Sequence, residues 1–134
     1  MIKQTIYILF DGNAKEAMEF YQSCFGGHLQ LTSVGDSPMK NLLPENFHNK
    51  ILNGKLESDW VNISTSDWLR PEETPIRGNM NCLYISGGTV EETQKLFDKL
   101  SEGANVTDPL KMEPFGTYGA LNDKFEVRWM FHAI

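Results

Sequence analysis

The chain has 134 residues, of which 40% are hydrophobic and 22% charged, a composition typical of one globular domain and not of a disordered segment. Its net charge of −6, without a basic cluster, argues against nucleic acids and anionic membrane surfaces as partners. No apolar run approaches the roughly 20 residues of a membrane-spanning helix, which argues against a helical membrane protein.

The N-terminal residues and the two cysteines indicate the compartment. Lys3 and Gln4 interrupt any signal-peptide pattern. Cys24 and Cys82 are too few for a disulfide framework, so we expect reduced thiols. We therefore predict a cytoplasmic protein.

The elements predicted from hydrophobic periodicity follow one order twice. In the first half, a strand at 5–10 and a helix at 14–25 are followed by strands at 28–34, 51–57 and 60–66. In the second half, a strand at 81–86 and a helix at 90–102 are followed by strands at 105–111, 119–122 and 126–132. Residues 35–50 are predicted to form a loop with one helical turn. The chain therefore divides into a βαβββ module at 1–67, a linker at 68–79 and a second βαβββ module at 80–134.

Both predicted helices begin with the same motif. A cap candidate, Asn13 or Thr89, stands three residues before a glutamate, Glu16 or Glu92, so we predict a capping box at each helix start. Each helix is followed by a glycine, the residue that most readily adopts the left-handed conformation at a helix end. These glycines are Gly27 and Gly103.

Each module is predicted to place one helix on one face of a four-stranded sheet and to leave the other face free. Two such faces, related by pseudo-twofold symmetry, can curve around a cavity, and ligand sites form preferentially at junctions of this kind. The predicted fold class is therefore α+β, with tandem βαβββ modules that form a curved mixed sheet around a cavity.

Three sequence motifs resemble one protein family. The pattern Y-x-x-F-x-G-N-A-x-E-A-x-x-F-Y runs from Tyr7 to Tyr21, and F-G-x-Y-G-x-L-x-D-K-F-x-V-x-W-M runs from Phe115 to Met130. The third motif is Ser-Asp at 66–67. Together with the βαβββ order, they resemble the PhnB-like branch of the vicinal oxygen chelate superfamily, the fold of glyoxalase I, bleomycin resistance proteins and extradiol dioxygenases.

The resemblance carries expectations, and the chain also departs from the family pattern. It implies the paired-module fold and a homodimer. The family is also labelled 3-demethylubiquinone-9 3-methyltransferase-like, but the sequence contains no glycine-rich loop of a Rossmann unit, so we do not expect methyl transfer. The chain departs from the family pattern at Glu126, which replaces a glycine and predicts an altered turn, and at Asn53, where many relatives carry histidine.

Metal-dependent members of the superfamily hold a divalent ion with His, Glu or Gln on the first and last strands of each module. Matching those strands places Ile6 and Met130 at two of the ligand positions. None of the three histidines, His28, His48 and His132, has a ligand-like spacing from another candidate. We therefore expect no metal and no cofactor.

Strand alternation selects the residues that would line the cavity. Val127, Trp129 and Phe131 are predicted to pack under the helix, which leaves the alternate residues of the last strand to face the ligand. The same alternation, applied to the other strands, gives the remaining residues that would face the ligand. Tyr7 and Tyr21 are assigned to the helix–sheet core instead. The predicted ligand-binding residues are Phe10, Trp60, Tyr84, Glu126, Arg128 and Met130, with Phe115 a further candidate.

The aromatic members of this set suit a planar or amphipathic small molecule. Arg128 can pair a ligand carboxylate or phosphate through its planar guanidinium, although an ion pair with Glu126 or a loop acid is the alternative. We predict a metal-free small-molecule binding protein and leave catalysis open. The alternatives are a metal-dependent lyase, isomerase or dioxygenase using Cys82, Glu126 and His132, and a domain whose only partner is another protein.

Overall fold

The βαβββ order occurs twice in the computed structural model, which describes residues Met1–Ile134. The chain divides into a first unit, Met1–Pro75, and a second unit, Ile76–Ile134, and the boundary lies within the predicted linker. Each unit has one α-helix and one four-stranded mixed sheet, so the α+β fold class is confirmed. Neither helix has the length and apolar content needed to cross a membrane.

The first unit contains β1 (Ile6–Phe10), α1 (Ala14–Phe25), β2 (His28–Ser33), β3 (Ile51–Glu57) and β4 (Asn62–Asp67). The strand order is β1-β4-β3-β2, and only the β1–β4 pair is parallel. The apolar stripe of α1 is buried as its spacing predicts. It covers a sheet face that includes Leu56 and Ile63. The segment between β2 and β3 contains two short 3₁₀ turns, Val34–Asp36 and Glu45–Phe47, instead of the one helical turn expected.

The second unit contains β5 (Leu83–Ser86), α2 (Val90–Leu100), β6 (Asn105–Glu113), β7 (Gly116–Asn122) and β8 (Arg128–Ala133). The strand order is β5-β8-β7-β6, again with one parallel pair, β5–β8. Phe97 of α2 packs edge-to-face on Phe131 of β8, with ring centroids 5.1 Å apart. Val90, by contrast, is exposed, so the stripe of α2 begins at Thr93.

The two helices begin differently, so the predicted capping boxes are half right. At α2, Thr89 Oγ1 accepts the Glu92 N–H at 3.0 Å and Glu92 Oε1 accepts the Thr89 N–H at 2.9 Å, which is the predicted box. At α1, the Asn13 side chain makes no cap hydrogen bond. The carboxylate of Asp67 takes its place.

Asp67 lies at the end of β4 and is buried, with 2% of its surface exposed. Its Oδ1 accepts the Ala14 N–H at 2.9 Å and its Oδ2 accepts the Ile51 N–H at 2.7 Å. A charged acceptor at the positive end of α1 is a stronger cap than the neutral Asn13 amide. One carboxylate therefore joins the start of α1, the start of β3 and the end of β4.

A second buried carboxylate, Asp123, organises the turn before β8. Its Oδ1 accepts the N–H groups of Phe125 and Val127 at 2.8 and 3.0 Å, and its Oδ2 accepts the Trp129 indole N–H at 2.9 Å. Glu126, inside this turn, has φ 67°, the only positive φ outside glycine. Where the family pattern has a glycine, this chain therefore has a glutamate in the left-handed conformation. Any backbone strain in the turn lies in that one residue.

We expect Asp67→Asn to lower the free energy of unfolding by about 2 kcal/mol. In the native protein, each carboxylate oxygen of Asp67 accepts one backbone N–H. In the variant, the amide NH₂ would replace one of these oxygens and leave a buried N–H donor unsatisfied. Urea unfolding measures the change, and Asp11→Asn, at an exposed position, is the control, with an expected change below about 0.5 kcal/mol. An equal effect of the two substitutions would show that Asp67 is not the cap described.

We expect Glu126→Gly to raise the free energy of unfolding by roughly 1 kcal/mol, because glycine adopts positive φ without steric cost. Glu126→Ala removes the same carboxylate but retains a Cβ, so it should give no comparable gain. Thermal and urea unfolding of both variants measure the difference. If alanine stabilises as much as glycine, the carboxylate and not the backbone is responsible.

Candidate functional site

The sheet of the second unit has a face opposite α2 that carries exposed and half-buried aromatic, sulfur-containing and polar side chains. We call this surface the open face; it comprises Cys82, Tyr84, Tyr118, Asn122, Arg128, Met130 and His132, with Asp108 at the β6 edge. Strand pairing places Tyr84 beside Met130 and Tyr118 beside His132. Paired residues of neighbouring strands point to one side of a sheet, so these four side chains lie together.

The alternation of β8 separates the core from the open face as predicted. Trp129 and Phe131 are fully buried, whereas Arg128, Met130 and His132 are half-buried on the other side. The hydrogen bond from the Trp129 indole to Asp123 fixes which side chains of β8 face the core. A shift by one residue would exchange the buried and the half-buried side chains. The predicted orientation of β8 is therefore confirmed.

A chain of hydrogen bonds crosses the open face at His132. Its Nδ1 lies 3.0 Å from the Tyr84 hydroxyl, and its Nε2 lies 2.9 Å from the carbonyl oxygen of Phe115. The Phe115 ring also contacts Tyr118, with ring centroids 5.7 Å apart in an edge-to-face arrangement. Gly116 leaves room for this chain, because a Cβ there would come within 2.8 Å of His132 Nε2. Both nitrogens of the imidazole are thus used within the sheet.

Arg128 is held by its own sheet. One guanidinium nitrogen donates to Thr107 Oγ1 at 3.1 Å and to Asn122 Oδ1 at 3.4 Å, and the other lies 3.8 Å from Asp108 Oδ2. The alternative considered from sequence was an ion pair with Glu126 or a loop acid; the structure shows an ion pair, but with an acid on a strand. The acid is Asp108 of β6 and not Glu126.

Cys82 and Met130 are neighbours on the open face, with Sγ and Sδ 3.1 Å apart. The thiol of Cys82 is exposed, and the chain contains no disulfide bond. The thioether adds a polarisable apolar group between the aromatic side chains and Arg128.

The remaining predicted ligand residues lie elsewhere. Glu126 is in the turn before β8, six residues from His132, which corresponds to about 20 Å of extended chain. Trp60 is exposed in the turn between β3 and β4, because β4 begins at Asn62 and not at residue 60 as predicted. Of the six predicted residues, the open face therefore brings together Tyr84, Arg128 and Met130.

Phe10 is the clearest correction. It is 1% exposed and packs against Tyr21 of α1, with ring centroids 6.4 Å apart, so it belongs to the helix-side core and cannot face a ligand. Tyr7, assigned to the core from sequence, is instead 55% exposed on the opposite face, whereas Tyr21 is buried as expected. The prediction for β1 was out of phase by one residue, and such an error turns every side chain of a strand to the wrong face.

The first unit has a separate open depression of about 340 Å³. It lies at the end of the sheet near the β3–β4 turn, and none of the predicted ligand residues lines it. Its lining is largely polar and consists of Phe25, Gly27, Glu57, Ser58, Asp59 and Asn62.

Sequence reasoning did not find the contacts of two residues of the open face. His132 was placed on the correct face and named in the rival metal-ligand set, but it was otherwise interpreted as an isolated edge histidine, and Asp108 was not considered. Alternation could identify their faces, but their contacts depend on which residues are paired across strands. The register that joins His132 to Ser86 and Tyr118, and Asp108 to Ala120, is not visible in a single sequence.

The side chains present do not fit a divalent metal site of the superfamily type. No three His, Cys, Asp or Glu side chains group as metal ligands. The alternative set, Cys82, Glu126 and His132, does not converge, because Glu126 lies in the turn before β8 whereas His132 lies near the end of the strand. The imidazole nitrogens also already bond Tyr84 and Phe115. The expectation of a metal-free site stays a prediction.

Comparison with solved structures identifies the class of protein. Protein PA1353 from Pseudomonas aeruginosa is 27% identical, with 99% of this chain and 98% of that chain covered and a TM-score of 0.87. A mutant FosX fosfomycin resistance protein from Listeria monocytogenes, complexed with Mn(II) and 1S,2S-dihydroxypropylphosphonic acid, is 12% identical, with coverages of 98% and 93% and a TM-score of 0.65, and shows the fold alone. The fold is that of the glyoxalase and bleomycin resistance proteins.

The particular family follows from the sequence. A PhnB protein from Bacillus cereus is 25% identical over 99% of this chain and 100% of that chain, with a TM-score of 0.76. The family model described as 3-demethylubiquinone-9 3-methyltransferase matches residues 2–131, so the chain belongs to this PhnB-like family. No curated protein matches the sequence.

Proposed function

We propose that the protein binds a small organic molecule on the open face without the help of a metal ion. One observation carries the proposal: the open face leaves the large aromatic ring of Tyr84 in solvent beside a hydrogen-bonded imidazole, with a second exposed ring at its border. Tyr84 is 55% exposed, and Phe115, whose ring borders the face at His132, is 59% exposed. Aromatic rings combined with a few fixed polar groups are typical of small-molecule sites.

The arrangement of this face supports selective binding. The Tyr84 and His132 side chains are held by each other and by the Phe115 carbonyl, so a ligand meets polar groups whose orientation is already set. Met130 supplies an apolar contact between them and Arg128. The ligand expected is a planar or aromatic group with one polar substituent.

A metal-dependent lyase, isomerase or dioxygenase is the rival function. It draws support from the likeness in fold to FosX, whose structure contains Mn(II). The side chains argue against it, because Met130 occupies a position at which the resemblance expects a metal ligand, and no three His, Cys, Asp or Glu side chains group as metal ligands. Catalysis by the open face without a metal stays open.

Thermal unfolding of metal-stripped protein tests the metal-free proposal. We expect Zn²⁺, Ni²⁺, Mn²⁺, Fe²⁺ and Mg²⁺ to leave the midpoint unchanged. An ion present at 100 times its dissociation constant would stabilise the folded state by about 2.7 kcal/mol and raise the midpoint by on the order of 10 °C. A clear rise with one ion, lost in a Glu126→Ala/His132→Ala double variant, would favour the metal enzyme.

The same scan tests ligand binding with the neutral probe phenethyl alcohol. We expect a rise in the midpoint at saturating probe that is lost in Tyr84→Ala. Tyr7→Ala is the matched control, because Tyr7 has the same 55% exposure on the first sheet but is outside the open face. An equal loss in both variants, or no rise with the unaltered protein, would count against the open face.

We also propose that the protein is a homodimer and works in the cytoplasm. The dimer is supported by the family resemblance alone, and the compartment by the presence of only two cysteines, too few for a disulfide framework. Sedimentation velocity measures the mass directly, against 15.3 kDa for one chain.

A further inference from the structure

The hydrogen bonds around His132 have a defined direction when the imidazole is neutral. A carbonyl oxygen can only accept, so the Phe115 carbonyl requires the proton of His132 on Nε2. The remaining nitrogen, Nδ1, then carries a lone pair and accepts the hydroxyl proton of Tyr84 across 3.0 Å. The Phe115 carbonyl thus determines the tautomer of His132, which in turn determines how Tyr84 points.

This direction limits what Tyr84 can offer to a ligand. A phenol has one O–H, and the hydrogen bond to His132 uses it. Its oxygen therefore presents only lone pairs to solvent, although the ring is 55% exposed. A ligand that bonds this oxygen must donate a proton, because two acceptors facing each other leave both unsatisfied.

The charges near the site favour a donor that is also positive. Arg128 is paired with Asp108, and Lys111 lies 3.4 Å from Glu113, so each cation of this sheet face already has an acidic neighbour. The chain as a whole carries a net charge of −6. The faces of exposed aromatic rings also attract organic cations.

We propose that the open face takes an organic ammonium compound with an aromatic or apolar body, and that protonation of His132 reverses this preference in favour of anions. The inference rests on the proposed function and names the ligand class of the same site. It replaces the carboxylate or phosphate expected at Arg128 from sequence, because the guanidinium is directed at oxygens of its own sheet.

The reversal follows from the change in the hydrogen-bond pattern. A protonated imidazole carries N–H on both nitrogens, so Nδ1 donates to the Tyr84 oxygen and the phenol O–H turns outward to donate to a ligand. The added positive charge repels ammonium and attracts anions.

The groups that face His132 are Tyr84 of β5 and Tyr118 of β7, with the Lys111–Glu113 pair on β6 beyond them and Arg128 on its own strand. Histidine changes charge between about pH 5 and pH 8, whereas ordinary tyrosines, lysines and arginines do not.

Three probes that share one phenethyl group separate charge from shape: phenethylamine, phenethyl alcohol and phenylethanesulfonate. Calorimetric titration at about pH 8 should show phenethylamine binding roughly five- to tenfold tighter than the sulfonate. At about pH 5, the order should reverse, although the amine remains positive and the sulfonate negative at both values. The affinity of the neutral phenethyl alcohol should change least between the two pH values.

Variants locate the effect. Tyr84→Phe keeps the ring but removes the oxygen, and His132→Asn keeps a polar side chain that does not titrate, so each should abolish most of the pH dependence of the amine-to-sulfonate ratio. Tyr118→Phe is the matched control and should retain it. Nitrogen-15 spectra of the His132 side chain should show the proton on Nε2 at about pH 8.

Two kinds of failure are distinguishable. Equal or tighter binding of the sulfonate at about pH 8, a ratio that His132→Asn leaves pH-dependent, or a proton on Nδ1 of the neutral ring would overturn the inference while the face remains a binding site. If none of the three probes binds at either pH, the proposed function itself fails, and the inference fails with it.

Discussion

The phase of β8 depends on one buried carboxylate. Asp123 accepts two backbone N–H groups of the turn and the indole N–H of Trp129, so the turn and the first buried side chain of the strand are fixed together. Trp129 and Phe131 then lie under α2, and Met130 and His132 must lie on the opposite face. The composition of the open face follows from this constraint, as does its pairing with Tyr84 on β5.

The sequence predicts the fold well where its pattern is unambiguous. In β8, bulky apolar side chains alternate with Arg128, Met130 and His132, so the faces could be assigned correctly. In β1, every residue from Ile6 to Phe10 is apolar or aromatic, so alternation does not show which residues face the helix, and the predicted phase was wrong. Asp67 shows a further limit, because a cap supplied from 53 positions away is invisible to local motifs and depends on the tertiary fold.

The candidate site was predictable as a list of side chains but not as an arrangement. Tyr84, Arg128 and Met130 were assigned to one surface from alternation alone. The partners that decide their chemistry, Asp108 for Arg128 and His132 for Tyr84, come from other strands and depend on register. Those partners change the expected ligand. A guanidinium that already faces an acid attracts an anion less than a free guanidinium does. A phenol that donates its proton to an imidazole can only accept a hydrogen bond from a ligand.

The location of a bound small molecule tests whether the open face is the ligand site and whether binding there needs a metal ion. Carbon-13 spectra of methionine methyl groups in EDTA-treated protein report on each of the 6 methionines separately. With phenethyl alcohol added, we expect a saturable shift of the Met130 methyl signal, which is assigned with Met130→Leu. The signals of Met112 and Met80, which are 84% and 94% exposed, should stay unchanged. A Met130 signal that stays in place while the probe binds elsewhere, or moves only after a divalent ion is restored, would contradict this expectation.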